Sequence, residues 1–142
     1  MPWTTALACT MRGFETRLSQ NATRFHGRLA FHTTYGGRID DTAEGDQLAA
    51  AVADGVRVVL LANHGVLVVA VSVAHAWYDL YFLERAAQVQ VLAHRAGELR
   101  LMSEATAEAT AAQFDEERAL HAVPQWDAVR RRLDRESPGY NS

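Results

Sequence analysis

Val56-Arg57-Val58-Val59-Leu60-Leu61-Ala62-Asn63-His64-Gly65-Val66-Leu67-Val68-Val69-Ala70-Val71 is the stretch that decides the fold. It holds two apolar runs of strand length, Val56–Ala62 and Val66–Val71, rich in β-branched residues that pack well on a pleated surface. Asn63-His64-Gly65 separates them. A three-residue connection ending in Gly fits a tight hairpin with one left-handed position. Neither run alternates strictly between apolar and polar residues, which points to a sheet covered on both faces.

The flanks supply the covering helices. Downstream, Ser72 caps a helix predicted over about Val73 to Ala96, with Arg95 and Gly97 marking its end. Its apolar stripe reads Val73, Ala76, Trp77, Leu80, Leu83, Ala87 and Val91, spaced by three or four. Ser103 opens an Ala-rich helix to about Leu120, and Pro124 opens a last short helix with Trp126, Val129 and Leu133. Upstream, Met1 to about Met11 reads as a helix with Pro2 in its first turn, and Met11 to Gln20 is irregular. Arg28-Leu29-Ala30-Phe31 alternates like a short strand, and Tyr35-Gly36-Gly37-Arg38 reads as a loop. Asp40, Asp41 and Thr42 offer caps to a further helix, with Glu44 and Asp46 in its first turn. Leu48, Ala49, Val52 and Ala53 form its apolar face, and Asp54-Gly55 ends it. The expected fold class is α/β, with one domain over 1–135 and a frayed tail over 136–142.

Composition agrees with one folded unit. The 142 residues are 49% hydrophobic and 22% charged, close to globular averages. A net charge of −3 argues against a nucleic-acid module built on a basic surface. All 14 basic residues are Arg, and the cluster Arg130, Arg131, Arg132 and Arg135 is offset by Asp127, Asp134 and Glu136. The single cysteine excludes an internal disulfide and a four-Cys zinc site, and Cys9 is expected in the core. No run reaches the roughly 18 apolar residues of a membrane span, and Met1–Cys9 lacks the basic start of a signal peptide. The expected location is the cytoplasm, with no membrane or nucleic-acid partner.

Six histidines are the main chemical resource. His64 lies in a turn that can aim a side chain at a cleft; its position alone reads first as a hairpin tip without a role. His26 and His32 would share one face of a regular strand, but no third ligand is evident, so both are expected at the surface. His75, His94 and His121 form no i, i+4 pair and are expected to face solvent. Glu84 and Arg85 read as a helix-surface ion pair, with catalysis as the other reading. Asp115, Glu116, Glu117 and Arg118 read as a solvated face. No phosphate-loop, dinucleotide, serine-hydrolase or metalloprotease motif occurs.

The central run carries a further signal when joined to Ser72-Val73-Ala74, Ala76, Leu83-Glu84-Arg85-Ala86 and Gln90. Together these resemble the class II aldolase/adducin family. Ser19-Gln20-Asn21-Ala22, Arg24-Phe25, Tyr35-Gly36-Gly37 and Glu44-Gly45 resemble its aldolase branch near adducin. The resemblance covers roughly residues 1 to 100. It implies an α/β/α sandwich around a mostly antiparallel sheet. In family enzymes such as fuculose-phosphate aldolase and ribulose-phosphate 4-epimerase, zinc or a similar divalent ion is held by three histidines. Two come from a His-x-His motif and the third from the Asn-His-Gly turn, here His64. The ion binds a small hydroxy-carbonyl substrate, some of them sugar phosphates, and stabilises an enediolate. An upstream glutamate serves as acid and base, and family members assemble as homotetramers.

The chain departs from that pattern in one large respect. In the family, His-x-His closely precedes a stretch like Met1-Pro2-Trp3-Thr4-Thr5-Ala6-Leu7. The resemblance therefore implies the C-terminal part of the domain, with His64 as the one metal ligand carried over and no catalytic residue carried over. Such a chain is expected to be inactive alone and not to hold zinc tightly, because a catalytic zinc takes three protein ligands. Two smaller departures are Ala70-Val71 before the helix cap and His75 where the family has Glu, which weakens a capping box by about 0.5–1 kcal/mol. The same residues also fit two other readings, a non-catalytic adducin-like scaffold and a degenerate gene fragment with an open strand edge.

Overall fold

A computed structural model describes residues 1–33 and 42–140. Within them the order is α1 (Pro2–Ala8), a 3-10 turn (Ala22–Phe25), β1 (Leu29–His32), α2 (Thr42–Ala51), β2 (Val58–Leu61), β3 (Gly65–Val68), α3 (Val73–Ala96) and α4 (Glu104–Glu136). The strands form one mixed sheet in the order β1-β2-β3. β1 pairs with β2 in parallel, Leu29 opposite Val58. β2 pairs with β3 antiparallel, Val58 opposite Val68 and Leu61 opposite Gly65. The fold is thus α/β, as the sequence predicts. The loop at Tyr35–Arg38 and the caps Asp40 and Asp41 lie outside the described residues.

The expectation of a doubly covered sheet holds for the middle strand. Val58, Val59 and Leu60 are fully buried, and in an extended strand successive side chains point to opposite faces. Phe25, Val58 and Leu83 form the centre of the core, with Phe14, Leu29, Val66, Val68 and Phe82 packed on it. β3 is only half-buried along its length, and Val69 and Val71 beyond it are exposed. It is an edge strand among the described residues, so no neighbour covers its outer side.

α3 begins and ends where its caps predict. The Ser72 hydroxyl accepts from the His75 N–H at 3.4 Å, and its oxygen lies 2.8 Å from His75 Nδ1. His75 therefore still engages the cap residue, through its ring. The buried stripe is rotated from the predicted one. Tyr78, Asp79, Leu83, Ala86, Ala87 and Gln90 face inward, whereas Val73 is exposed. Polar groups won those positions because partners meet them. Gln90 donates to the Gly13 carbonyl at 2.9 Å and accepts from the Glu15 N–H at 2.8 Å. In α2, Leu48 and Val52 are half-buried, but Ala49 and Ala53 are exposed.

The last two predicted helices are one. α4 runs 33 residues with Pro124 inside it. Proline removes one donor and clashes with the carbonyl four residues back, that of Leu120. Leu120, His121, Val123 and Pro124 are exposed, so water can satisfy the freed carbonyl and the helix continues. Among the described residues no helix is long and apolar enough to cross a membrane.

α4 buries Ala107, Ala111, Phe114 and Ala122 and adds a set of ionic contacts beside them. Arg24 is buried, with its guanidinium carbon 3.9 Å from the Phe82 ring centroid and 3.8 Å from that of Phe114. It donates to Glu117 at 2.7 Å and to the Tyr78 hydroxyl at 3.1 Å. Asp115 accepts from Arg28 at 2.9 Å and Arg57 at 2.6 Å. Arg118 grips Asp79 through two nitrogens at 2.8 Å each. The segment read as a solvated face is therefore an ionic seam. Side chains from the turn, β-strand flank and α3 converge on it, and no local spacing in α4 reveals them. Burial alone would raise the Asp115 carboxyl; hydrogen bonds from Arg57 and Arg28 outweigh it and hold it below the usual carboxylate range.

Candidate functional site

The site predicted from sequence is the turn between β2 and β3. Because Leu61 pairs with Gly65, the turn comprises Ala62, Asn63 and His64. The left-handed position is Asn63 at φ 57°, a conformation that Asn tolerates better than most residues, and not Gly65. His64 N–H donates to the Leu61 carbonyl at 3.0 Å, closing the turn. Two bonds fix its direction. Ala62 N–H donates to His32 O at 2.9 Å, extending the parallel ladder, and Asn63 N–H donates to Ala8 O at 3.1 Å. The second bond satisfies a carbonyl left open at the end of α1.

This turn stands at the carboxyl ends of the parallel strands β1 and β2, the rim where open α/β sheets place ligands. A cavity of about 290 Å³ opens there, lined by Cys9, Met11, Phe31, Thr33, Ala62 and Asn63 among others. His64 is exposed, one residue beyond that lining. Cys9 is exposed as well and not in the core. It follows the last residue of α1, where the chain turns outward past the buried Leu7 and Ala8.

Glu84 is not half of a helix-surface ion pair. It reaches the start of α1, accepting from Trp3 N–H at 3.0 Å, Thr4 N–H at 3.1 Å and the Thr4 hydroxyl at 2.8 Å. Burial would raise its carboxyl; the bonds from Trp3 and Thr4 outweigh that and hold it below the usual range. A carboxylate at a helix N-terminus is favoured by the open N–H groups and by the helix dipole. Glu84 thereby sets the position of α1, and through Ala8 that of the His64 turn. A glutamate partnering helix donors 80 residues away has no local sequence signature.

The other histidines separate. His32 Nε2 lies 3.4 Å from Gln47 Oε1 on α2. His26 precedes β1 instead of sharing a strand face with His32. Its side chain is only 14% exposed, with Nε2 3.0 Å from Glu104 Oε1. His75 and His94 are half-buried and His121 exposed. Among the described residues, His64 is in no group of three side chains whose ligand atoms converge closely enough for one metal ion. Among the described residues the rim therefore does not bring together the three protein ligands of a catalytic zinc centre.

Comparison with known proteins accounts for this geometry. Residues 1–91 match the model of the Class II Aldolase and Adducin N-terminal domain. A Caulobacter vibrioides protein whose name places it in aldolase class 2 is 32% identical over 125 residues, 87% of this chain and 48% of that protein. The crystal structure of an aldolase II superfamily protein from Pseudomonas syringae superposes with a TM-score of 0.84 at 29% identity. It covers 100% of this chain and 57% of that one. The L-fuculose 1-phosphate aldolase of Glaciozyma antarctica shares the fold, with a TM-score of 0.76 at 22% identity over 94% of this chain and 50% of its own. The chain thus spans about half the length of the relatives it matches. The family match, with the fold and the Asn-His-Gly turn at the sheet rim, shows that this chain belongs to the class II aldolase and adducin family.

Proposed function

We propose that this chain is part of a divalent-metal-dependent lyase or epimerase that acts on a small hydroxy-carbonyl compound, a sugar phosphate being one candidate class. The observation that carries this reading is His64, exposed on a turn fixed at the carboxyl ends of β1 and β2. A zinc-class ion in such a centre supplies Lewis-acid stabilisation of developing oxyanion charge. This chain contributes His64 as one ligand. The other ligands and the acid–base glutamate come from outside the 142 residues, so the chain alone neither holds that ion tightly nor turns over substrate. The working form on this reading is a cytoplasmic homo-oligomer, a tetramer in the family pattern. Its small-molecule site is indifferent to nucleic acid and membranes.

The test compares this chain with the form purified from its source cells, each with and without His64→Ala. Metal content and aldol cleavage of hydroxy-carbonyl phosphates are read for all four. The source form is expected to carry a bound divalent ion and activity that His64→Ala removes. Metal content and turnover indifferent to His64→Ala would refute the proposal, as would a source form no larger than these 142 residues.

A further inference from the structure

The two parallel strands have a second end. His26 immediately follows the 3-10 turn and lies before β1, at the opposite end of the sheet from His64. The four-residue span of β1 alone separates these ends by about 10 Å, at roughly 3.3 Å per strand residue. Here His26, Glu104 and Glu108 bring one imidazole nitrogen and two carboxylates within 4.8 Å of one another. Glu104 and Glu108 are one helical turn apart at the start of α4, so both project to the same side. They face a cleft of about 430 Å³ that also takes in Gly27 and Arg28.

We propose that His26, Glu104 and Glu108 form a second metal site, for a zinc-class divalent ion, which pins the start of α4 to the segment before β1. Three observations carry it. First, His26 is oriented as a ligand. Its Nδ1 lies 2.9 Å from the Thr16 hydroxyl, and when Nδ1–H donates there the Nε2 lone pair faces outward. Second, Nε2 lies 3.0 Å from Glu104 Oε1, a contact that a shared proton satisfies and that a bound cation would replace. Two acceptors at this separation repel unless a proton or a cation lies between them. Neighbouring ligand atoms on a tetrahedral zinc with bonds of about 2.0–2.2 Å stand roughly 3.3–3.5 Å apart, so an ion needs these two atoms to part by only about 0.3–0.5 Å. Third, the charges match a divalent ion. Two carboxylates at i, i+4 repel. Arg17 relieves Glu104 from its other oxygen, at 3.4 Å, and Glu108 has no ion-pair partner among the described residues.

The surroundings hold two of the ligands in place. Met102 N–H donates to the Arg17 carbonyl at 3.0 Å, tying the approach to α4 against the segment that carries Thr16. The Ser103 hydroxyl caps α4 from the Thr106 N–H at 3.2 Å. Glu108 is exposed and completes the set by a side-chain rotation. One imidazole and two carboxylates suit zinc or manganese over copper(I) or an iron–sulfur cluster, which take thiolates. The fourth position opens to the cleft and takes water.

The proposal does not rest on the role given to His64. Zinc chloride titrated into the metal-free 142-residue protein, followed by calorimetry and thermal melting, tests it. One saturable equivalent and a raised melting temperature are expected. His26→Ala and Glu108→Gln should each weaken binding at least tenfold. Thr16→Val should weaken it about 10–100-fold, the usual effect of removing the partner of a ligating histidine. His64→Ala should leave it unchanged. Glu108 is exposed, so Glu108→Gln keeps the test decisive even where His26→Ala disturbs folding. No saturable zinc, or zinc lost in His64→Ala and retained in Glu108→Gln, overturns the proposal.

Discussion

Removing the Glu84 carboxylate should loosen α1 and with it the His64 turn. Glu84 accepts two backbone N–H groups and one hydroxyl at the start of α1, at 3.0, 3.1 and 2.8 Å. Hydrogen bonds to a charged group contribute about 1.5–3 kcal/mol each in favourable sites. Glu84 is only half-buried, so solvent screening puts these bonds at or below the low end of that range. The loss is also shared, because water can reach the released N–H groups. Glu84→Ala is therefore expected to cost about 2–3 kcal/mol, above the about 0.5–2 kcal/mol of an ordinary N-cap. Glu84→Gln keeps an acceptor and loses the charge, and should cost about 1 kcal/mol, near the usual size of a neutral hydrogen bond. Urea denaturation gives the two values. Amide exchange at Trp3, Thr4 and Asn63 should accelerate together, since Asn63 N–H is bonded to the far end of the same helix. The sign with pH follows from the depressed carboxyl. Its stabilisation is complete above the usual glutamate range and is lost as pH falls through the lower folded value. Wild type should therefore lose stability in acid more steeply than Glu84→Gln. A Glu84→Ala variant within about 0.5 kcal/mol of wild type, the scatter of neutral surface changes, would refute the capping role.

Three other outcomes follow from the packing. Arg24→Lys should destabilise by about 2–3 kcal/mol in urea melts, because an ammonium cannot stack flat between Phe82 and Phe114 while bonding Glu117 and Tyr78. Gly13→Ala should cost about 1–3 kcal/mol, since Gly13 sits at φ +60° and an added Cβ would lie 3.1 Å from a Phe31 ring carbon. Cys9 should react with a thiol reagent in the native protein at a rate close to that of the unfolded chain, as an exposed side chain allows.

Much of the core architecture is legible along the chain. The β2–β3 hairpin follows from two β-branched runs and the residues between them. The limits of α3 follow from Ser72 and Gly97, whose capping is a matter of neighbouring backbone groups. Other features escape such reading because their causes are distant in sequence. The stripe of α3 is rotated because Gln90 and Asp79 find partners on other elements. Pro124 reads as a helix start in isolation, yet its solvent-facing position lets the helix pass through it. Cys9 reads as a core residue by type, but the chain leaves the core one residue earlier.

By itself the sequence determined the α/β class, the central hairpin, the capped α3 and the resemblance to the class II aldolases through Asn63-His64-Gly65. These rest on period, turn chemistry and caps, which act within a few residues. Only the tertiary structure decided that Glu84 holds α1, that α4 carries an ionic seam along its apolar contact, and that His26 meets Glu104. Those pairings join residues 39 to 93 positions apart. A charged side chain carries no mark of its partner in the chain around it; burial and desolvation select the partner only once the elements have packed.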